Sequence, residues 1–242
     1  MTVVKDGNVI KLTPKDVNKK TDSENEATIK ITTPFGGNTQ TLSFEVKQDK
    51  YKFAVTDKPT SLDFEPLDVT TKKTVKIEAS AGWSSGLSGE AKLGNTEDKN
   101  AKTISVKPTE ANYDTRVKEG KLTITSDHGH KEVVTFTQKA YKFSPGDMAD
   151  KKVGSDAVTI EFTGLECTGK LAVKDVVADG SWLKTTDVEI VDNKTIKVKV
   201  PANDAKDAKT RDAKITISSE HVNKNSNLTK TIKITQNPKT TN

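Results

Sequence analysis

Residues 120–125, Gly-Lys-Leu-Thr-Ile-Thr, alternate apolar and polar side chains and decide the fold class of this chain. Successive side chains of a β-strand point to opposite faces, so the leucine and isoleucine share a buried face while the lysine and threonines meet solvent. The same pattern occurs in residues 27–32 and 213–218. The three copies follow one another at intervals of 93 residues, which indicates an internal repeat of a β unit.

Two further strands recur in the same order around this one. A preceding alternating strand that ends at or just before a proline covers residues 10–14, 104–108 and 196–201. A closing strand ends each copy with a glutamine, at Gln48, Gln138 and Gln236. Three strands in one order at nearly one period predict three related units.

The repeat divides the chain into two complete units and one partial unit. Residues 51–140 (the middle module) and 141–242 (the C-terminal module) each open with Tyr-Lys-Phe and contain one tryptophan. Residues 1–50 (the half-module) match only the back half of such a unit. We expect the half-module to begin inside a module, or to complete itself by exchanging strands with a neighbouring molecule. In the C-terminal module, extra residues around 166–177 predict an additional hairpin or loop before the tryptophan.

Short alternating strands separated by turn residues are typical of all-β sandwiches, and a unit of 90–100 residues fits one two-sheet module. The predicted fold is therefore all-β, with tandem immunoglobulin-like β-sandwiches arranged in an elongated chain. Only two residues separate each closing glutamine from the tyrosine that opens the next unit. Such short connections restrict motion between modules compared with Gly/Ser linkers.

The two complete units share an ordered set of residues that carries a family resemblance. Each has a polar loop with an asparagine, then a basic, a small and an aliphatic residue two apart, then the closing glutamine. These residues are Asn112, Lys118, Gly120 and Leu122 in one unit, and Asn203, Arg211, Ala213 and Ile215 in the other. This order resembles the BACON family, immunoglobulin-like modules of Bacteroidetes cell-surface proteins, in two full copies and one partial copy.

The resemblance implies a location outside the cell, at the cell surface or in the periplasm, in proteins that often handle polysaccharide. It implies a non-catalytic module that binds glycan or serves as a spacer near polysaccharide. An alternative function is that of an adhesion or assembly subunit whose immunoglobulin-like modules contact other surface proteins. We expect an export signal and any anchor to lie outside this sequence.

Composition excludes several other classes of protein. No run approaches the ~18–20 apolar residues of a membrane-spanning helix. The net charge of +5 is small for 242 residues and forms no basic stripe, so we expect no nucleic acid partner. The single cysteine, Cys167, rules out a disulfide within the chain.

Three aromatic residues are candidate ligand contacts. Trp83 and Trp182 could each stack on a sugar ring, although their matched places in the repeat favour packing in the sandwich. Tyr113 lies in a polar loop, where we expect it to be exposed and able to contact a ligand.

Catalytic and metal-binding residues are not evident in the sequence. His128 and His130 are two apart, but no third metal ligand accompanies them. No serine, histidine and aspartate form a recognisable nucleophilic arrangement. We therefore predict no enzyme activity, no cofactor and no metal site.

Overall fold

The structure is a computed structural model that describes residues 1–7, 9–146, 148–204 and 208–239. The described residues form 21 β-strands and two 3-10 turns, and none of them lies in an α-helix. The predicted all-β class is confirmed. Within the same ranges, no helical segment has the length and apolar character needed to cross a bilayer.

The half-module consists of two hairpins. Their strands are β1 (Thr2–Asp6), β2 (Val9–Thr13), β3 (Asn25–Phe35) and β4 (Asn38–Gln48). β1 pairs antiparallel with β2, and β3 pairs antiparallel with β4.

The middle module is a sandwich of two four-stranded sheets. Its strands are β5 (Phe53–Asp57), β6 (Asp63–Phe64), β7 (Lys73–Ala79), β8 (Trp83–Gly89), β9 (Leu93–Asp98), β10 (Thr103–Pro108), β11 (Lys118–Ser126) and β12 (Lys131–Gln138). One sheet has the order β5-β7-β10-β9 and the other β6-β12-β11-β8. All pairs are antiparallel except β6 with β12, which run parallel.

The core of the middle module lies between the two sheets. Alternate residues of β7, β10, β11 and β12 point inward and are almost fully buried. They are Val75, Ile77, Ile104, Val106, Leu122, Ile124, Val134 and Phe136. Inward β-branched and aromatic side chains that alternate with polar ones give an immunoglobulin-like sandwich.

The C-terminal module has the same plan. Its strands are β13 (Phe143–Ser144), β14 (Lys151–Val153), β15 (Val158–Phe162), β16 (Glu166–Cys167), β17 (Leu171–Ala178), β18 (Val188–Asp192), β19 (Thr195–Val200), β20 (Arg211–Ser219) and β21 (Thr229–Gln236). A four-stranded sheet of order β14-β21-β20-β17 faces a three-stranded sheet of order β15-β19-β18, and β13 pairs with β16. β14 runs parallel to β21.

The prediction of an additional hairpin or loop at residues 166–177 is wrong. β17 pairs with β20 as β8 pairs with β11, so it is the regular edge strand of that sheet. The extra residues follow β17 and form the 3-10 turns Asp179–Ser181 and Thr185–Asp187. A register shift between Val173 and Asp175 breaks the alternation of β17, which explains why the sequence pattern resembles an insertion.

The surface area indicates separate modules. The chain exposes 15152 Å². A single compact protein of 26.3 kDa would expose about 10,600 Å². The excess agrees with sandwiches that each bury their own core.

Candidate functional site

The three aromatic residues singled out in the sequence lie in three different environments. Trp83 lies in the core of the middle module, Trp182 at one end of the C-terminal module, and Tyr113 between the two modules. They do not form a common site.

Trp83 begins β8 and packs against the core of the middle module, with 7% of its surface exposed. The ammonium group of Lys99 lies 3.3 Å from the centroid of its rings and donates a hydrogen bond to the Trp83 carbonyl. This cation–π contact covers one ring face, while the core covers most of the remainder. The Trp83 ring therefore stabilises the module and presents little surface to a sugar.

Trp182 is not the structural counterpart of Trp83. Trp83 pairs with Ser126, and the residue that pairs with the equivalent Ser219 is Leu171. Trp182 lies after the end of β17, at the opposite end of the same sheet. The prediction that the two tryptophans occupy matched places in the repeat is therefore wrong.

The surroundings of Trp182 leave it half-buried. Its indole N–H donates to the Asp212 carbonyl at 3.2 Å, and the Arg211 guanidinium lies 4.3 Å from its ring centroid. Arg211 also donates to the Gln236 side chain and to the carbonyls of Pro201 and Ala202. Burial lowers the pKa of Arg211, and the charge of Asp204 opposes that change. Trp182 is therefore neither part of the fully buried core nor fully exposed.

Tyr113 is half-buried at the junction between the middle and C-terminal modules (the second junction), although the sequence predicts an exposed ring. Its ring centroid lies 6.3 Å from that of Tyr141 and 5.0 Å from that of His221. Its carbonyl accepts a hydrogen bond from the Asn225 side chain at 3.0 Å. Tyr113 thus joins two modules.

Tyr141 is the centre of the second junction. Its backbone N–H donates to the Asp114 carbonyl at 2.8 Å, and its side chain is 1% exposed. The hydroxyl lies 2.5 Å from the Ser219 hydroxyl and accepts a bond from the Gly169 N–H at 2.9 Å. Burial, the largest cause, raises the pKa of Tyr141 to about 12.

The junction between the half-module and the middle module (the first junction) repeats this arrangement with different side chains. The Tyr51 N–H donates to the Lys20 carbonyl at 2.7 Å, and His130 Nε2 lies 2.8 Å from the Lys19 carbonyl oxygen. The Tyr51 ring packs against His128 and His130, so this histidine pair serves the junction. Among the described residues, the Tyr51 hydroxyl is buried without a hydrogen-bond partner.

A buried asparagine supports each junction from the preceding module. The Asn112 side chain donates to the carbonyls of Arg116 and Lys139, both at 2.9 Å, and accepts from the Asp114 N–H. Asn18 makes the same set of bonds with Ser23, Asp49 and Lys20. These bonds fix the loop whose backbone carbonyls accept hydrogen bonds from the next module. The sequence singled out Asn112 and the two opening tyrosines but not Asn18, and the tyrosine N–H bonds that join the modules are made to backbone carbonyls.

Replacement of Tyr141 by phenylalanine is expected to lower the free energy of unfolding of the C-terminal module by about 1–3 kcal/mol, because the buried Gly169 N–H and Ser219 hydroxyl lose a partner. The matched change Tyr51→Phe is expected to cost less than about 0.5 kcal/mol, because no bond is lost. Urea denaturation with residue-resolved hydrogen exchange measures both. Equal losses in the two variants would contradict the stabilising role assigned to the hydrogen bonds of the Tyr141 hydroxyl.

A comparison of the wild-type chain with the Tyr141→Phe variant gives a pH test. The phenol of Tyr141 ionises near 10 in the unfolded chain and near 12 in the folded chain. The folded state therefore binds more protons between these values, so the contribution of Tyr141 is complete below pH 10 and declines as pH rises toward 12. The wild-type chain should lose stability more steeply than the Tyr141→Phe variant in this interval.

Comparison with known proteins identifies one family at residues 172–237. This segment matches the BACON family, described as "Putative binding domain, N-terminal". The segment covers β17 from its second residue to the end of β21 and contains Trp182. No curated protein sequence matches the chain. The further copies in residues 1–50 and 51–140 stay a prediction.

Several solved structures share a general likeness. An endo-fucoidan hydrolase from glycoside hydrolase family 107 is 13% identical, over 91% of this chain and 35% of its own, with a TM-score of 0.32. Mouse clustered protocadherin PcdhgC3 EC1-3 is 12% identical, over 91% of this chain and 79% of its own, with a TM-score of 0.32. The chain spans about a third of the length of the hydrolase. Likeness at this level carries no information on function.

Proposed function

We propose that this chain is a non-catalytic spacer of the cell surface or periplasm, which holds its sandwich modules in a fixed arrangement beside polysaccharide. The observation that carries the proposal is the repeated junction, in which an asparagine-supported loop receives the opening tyrosine of the next module. The carbonyls of Lys20 and Asp114 accept hydrogen bonds from the backbone N–H groups of Tyr51 and Tyr141, respectively. A connection made by hydrogen bonds and packed rings, with a two-residue link, restricts the motion that a flexible linker would allow.

The charged groups support a structural role. The pKa of Asp114 and that of Asp212 are lowered, in each case first by a hydrogen bond from a lysine, Lys118 and Lys233 respectively. Hydrogen bonds from Thr71 and Thr70 lower the pKa of Asp68. These partners lie on module surfaces and hold loops and strand edges, as structural ion pairs do.

Asn225 provides a direct test of the junction. Replacement of Asn225 by aspartate keeps the oxygen that accepts from the Asn227 N–H but removes the donor to the Tyr113 carbonyl. Loss of one such bond costs about 0.5–1.5 kcal/mol, so the population of separated modules should rise roughly fivefold. Asn223→Asp, at an exposed position of the same loop, is the matched control.

Double electron–electron resonance, which measures the distribution of distances between two spin labels, detects the separated modules. Spin labels at Val133→Cys and Val177→Cys, both at exposed positions of the two modules, report the separation in a Cys167→Ser background. We expect a narrow distance distribution for the parent and Asn223→Asp proteins and a broader one for Asn225→Asp. A broad distribution in the parent protein would contradict a spacer of fixed geometry.

A glycan-binding role is the second candidate, and the half-buried ring of Trp182 favours it. Trp182 is half-buried and lies within the matched family segment, with the Arg211 guanidinium 4.3 Å from its ring centroid. Flat aromatic faces suit the apolar side of a sugar ring, and Tyr and Trp are common where one side is apolar and the other wet. A glycan array should then show binding that Trp182→Ala abolishes while far-UV circular dichroism shows that the module is still folded. Absence of binding by the parent chain would leave the spacer role alone.

A further inference from the structure

The half-module contains the last four strands of a sandwich in their usual order. β1 and β2 pair as β9 and β10 do, and β3 and β4 pair as β11 and β12 do. The match places Ile29 at the position of Leu122 and Met1 at that of Leu93. The strands that correspond to β5, β6, β7 and β8 are therefore the part that residues 1–50 do not contain.

The inward side chains of the half-module are only half-buried. These six positions are Ile10, Leu12, Ile29, Ile31, Phe44 and Val46. Their counterparts in the middle module are 0–5% exposed: Ile104, Val106, Leu122, Ile124, Val134 and Phe136. The difference follows from the absent front strands, because β7 and β8 contribute Val75, Ile77 and Trp83 to the core of the middle module.

The half-module also keeps polar groups that bond, in a complete module, to the front half, which is the part that contains the first four strands. In both complete modules one front-half carbonyl accepts from the loop asparagine N–H and from the closing glutamine side chain. This carbonyl belongs to Pro66 in the middle module and to Ser155 in the C-terminal module. The half-module retains the neighbouring bond, from Gln48 to the Asp16 carbonyl at 3.0 Å, which matches that from Gln138 to Glu110. It has no residue that corresponds to Pro66.

We propose that residues 1–50 bind a polypeptide segment that carries the four front strands of a module of this kind, with the strand pattern of residues 51–92. Its strands would add to the free edges of β2, β3 and β4, as β7, β8 and β6 add to β10, β11 and β12. Addition of strands to open edges combines main-chain hydrogen bonds with burial of alternate side chains. A second copy of the chain is not this segment, because its own residues 51–92 already pair with its β10, β11 and β12.

A chimera tests the proposal on the full chain. Because Met1 corresponds to Leu93, a copy of residues 51–92 placed directly before Met1 restores the strand order without a gap. We expect amides of β2, β3 and β4 to exchange about 100-fold more slowly with solvent than in the parent chain. The amides of β11 serve as the reference and should be unchanged.

The control chimera carries Val75→Lys and Ile77→Lys in the added copy alone, so that charges replace two inward side chains. It should exchange at the rate of the parent chain. Equal exchange in the two chimeras would overturn the proposal. It would also be overturned if β3 in the parent chain already exchanged as slowly as β11, or if protection of the parent chain rose with its concentration, since a second copy would then cover the face.

Discussion

Replacement of Trp83 by alanine is expected to lower the free energy of unfolding of the middle module by about 3–5 kcal/mol. Trp83 is 7% exposed and packs within the core, so truncation removes buried apolar surface and leaves a cavity. The cation–π contact with Lys99 is lost as well. Urea denaturation followed by residue-resolved hydrogen exchange in β11 measures the change.

The matched variant is Trp182→Ala, for which we expect a loss of about 1–3 kcal/mol, confined to the C-terminal module. The smaller effect follows from its half-exposed ring and its place beyond the end of β17. A larger loss for Trp182 than for Trp83 would show that the two environments have been misassigned.

Replacement of Asn112 by alanine is expected to destabilise the middle module by about 2–4 kcal/mol. The side chain is fully buried, and its removal leaves the carbonyls of Arg116 and Lys139 and the Asp114 N–H without their partner. Buried polar groups that lose their partner pay the full cost of desolvation, which exceeds the net value of the bond itself. Thermal and urea unfolding measure the loss.

The control for Asn112 is Asn100→Ala, at an exposed turn position. This change should shift the free energy of unfolding by less than about 0.5 kcal/mol. The Asn112→Ala protein should also show a broader distance distribution across the second junction, because the loop that receives Tyr141 loses its support. A destabilised module with an unchanged junction would separate the two roles of Asn112.

The strands of this chain could be predicted from sequence wherever alternation is regular. Residues 27–32, 120–125 and 213–218 fall within β3, β11 and β20 as expected. β17 was missed because its irregular register places two consecutive polar residues, Lys174 and Asp175, within the strand. Alternation carries the signal for a half-buried strand, and a bulge removes it locally.

The candidate site was harder to predict because its chemistry lies largely in the backbone. Matching residue types paired Trp83 with Trp182, whereas matching strand registers pairs Trp83 with Leu171. The junction bonds of Tyr51 and Tyr141 use their own N–H groups and the carbonyls of Lys20 and Asp114, none of which depends on the side chain. The recurrence of the opening tyrosines and of Asn112 and Asn203 marked these positions but not their function, and Asn18 was not identified from the sequence.

The parallel pairing of an early strand with the last strand of each complete module has a mechanical consequence. β6 lies beside β12 and β14 lies beside β21, so the second strand of each module in chain order runs beside its last strand and points the same way. Tension applied to the two ends slides these strands past each other and strains all of their hydrogen bonds together, instead of opening them one by one. The modules are therefore built to resist stretching along the direction in which they are joined.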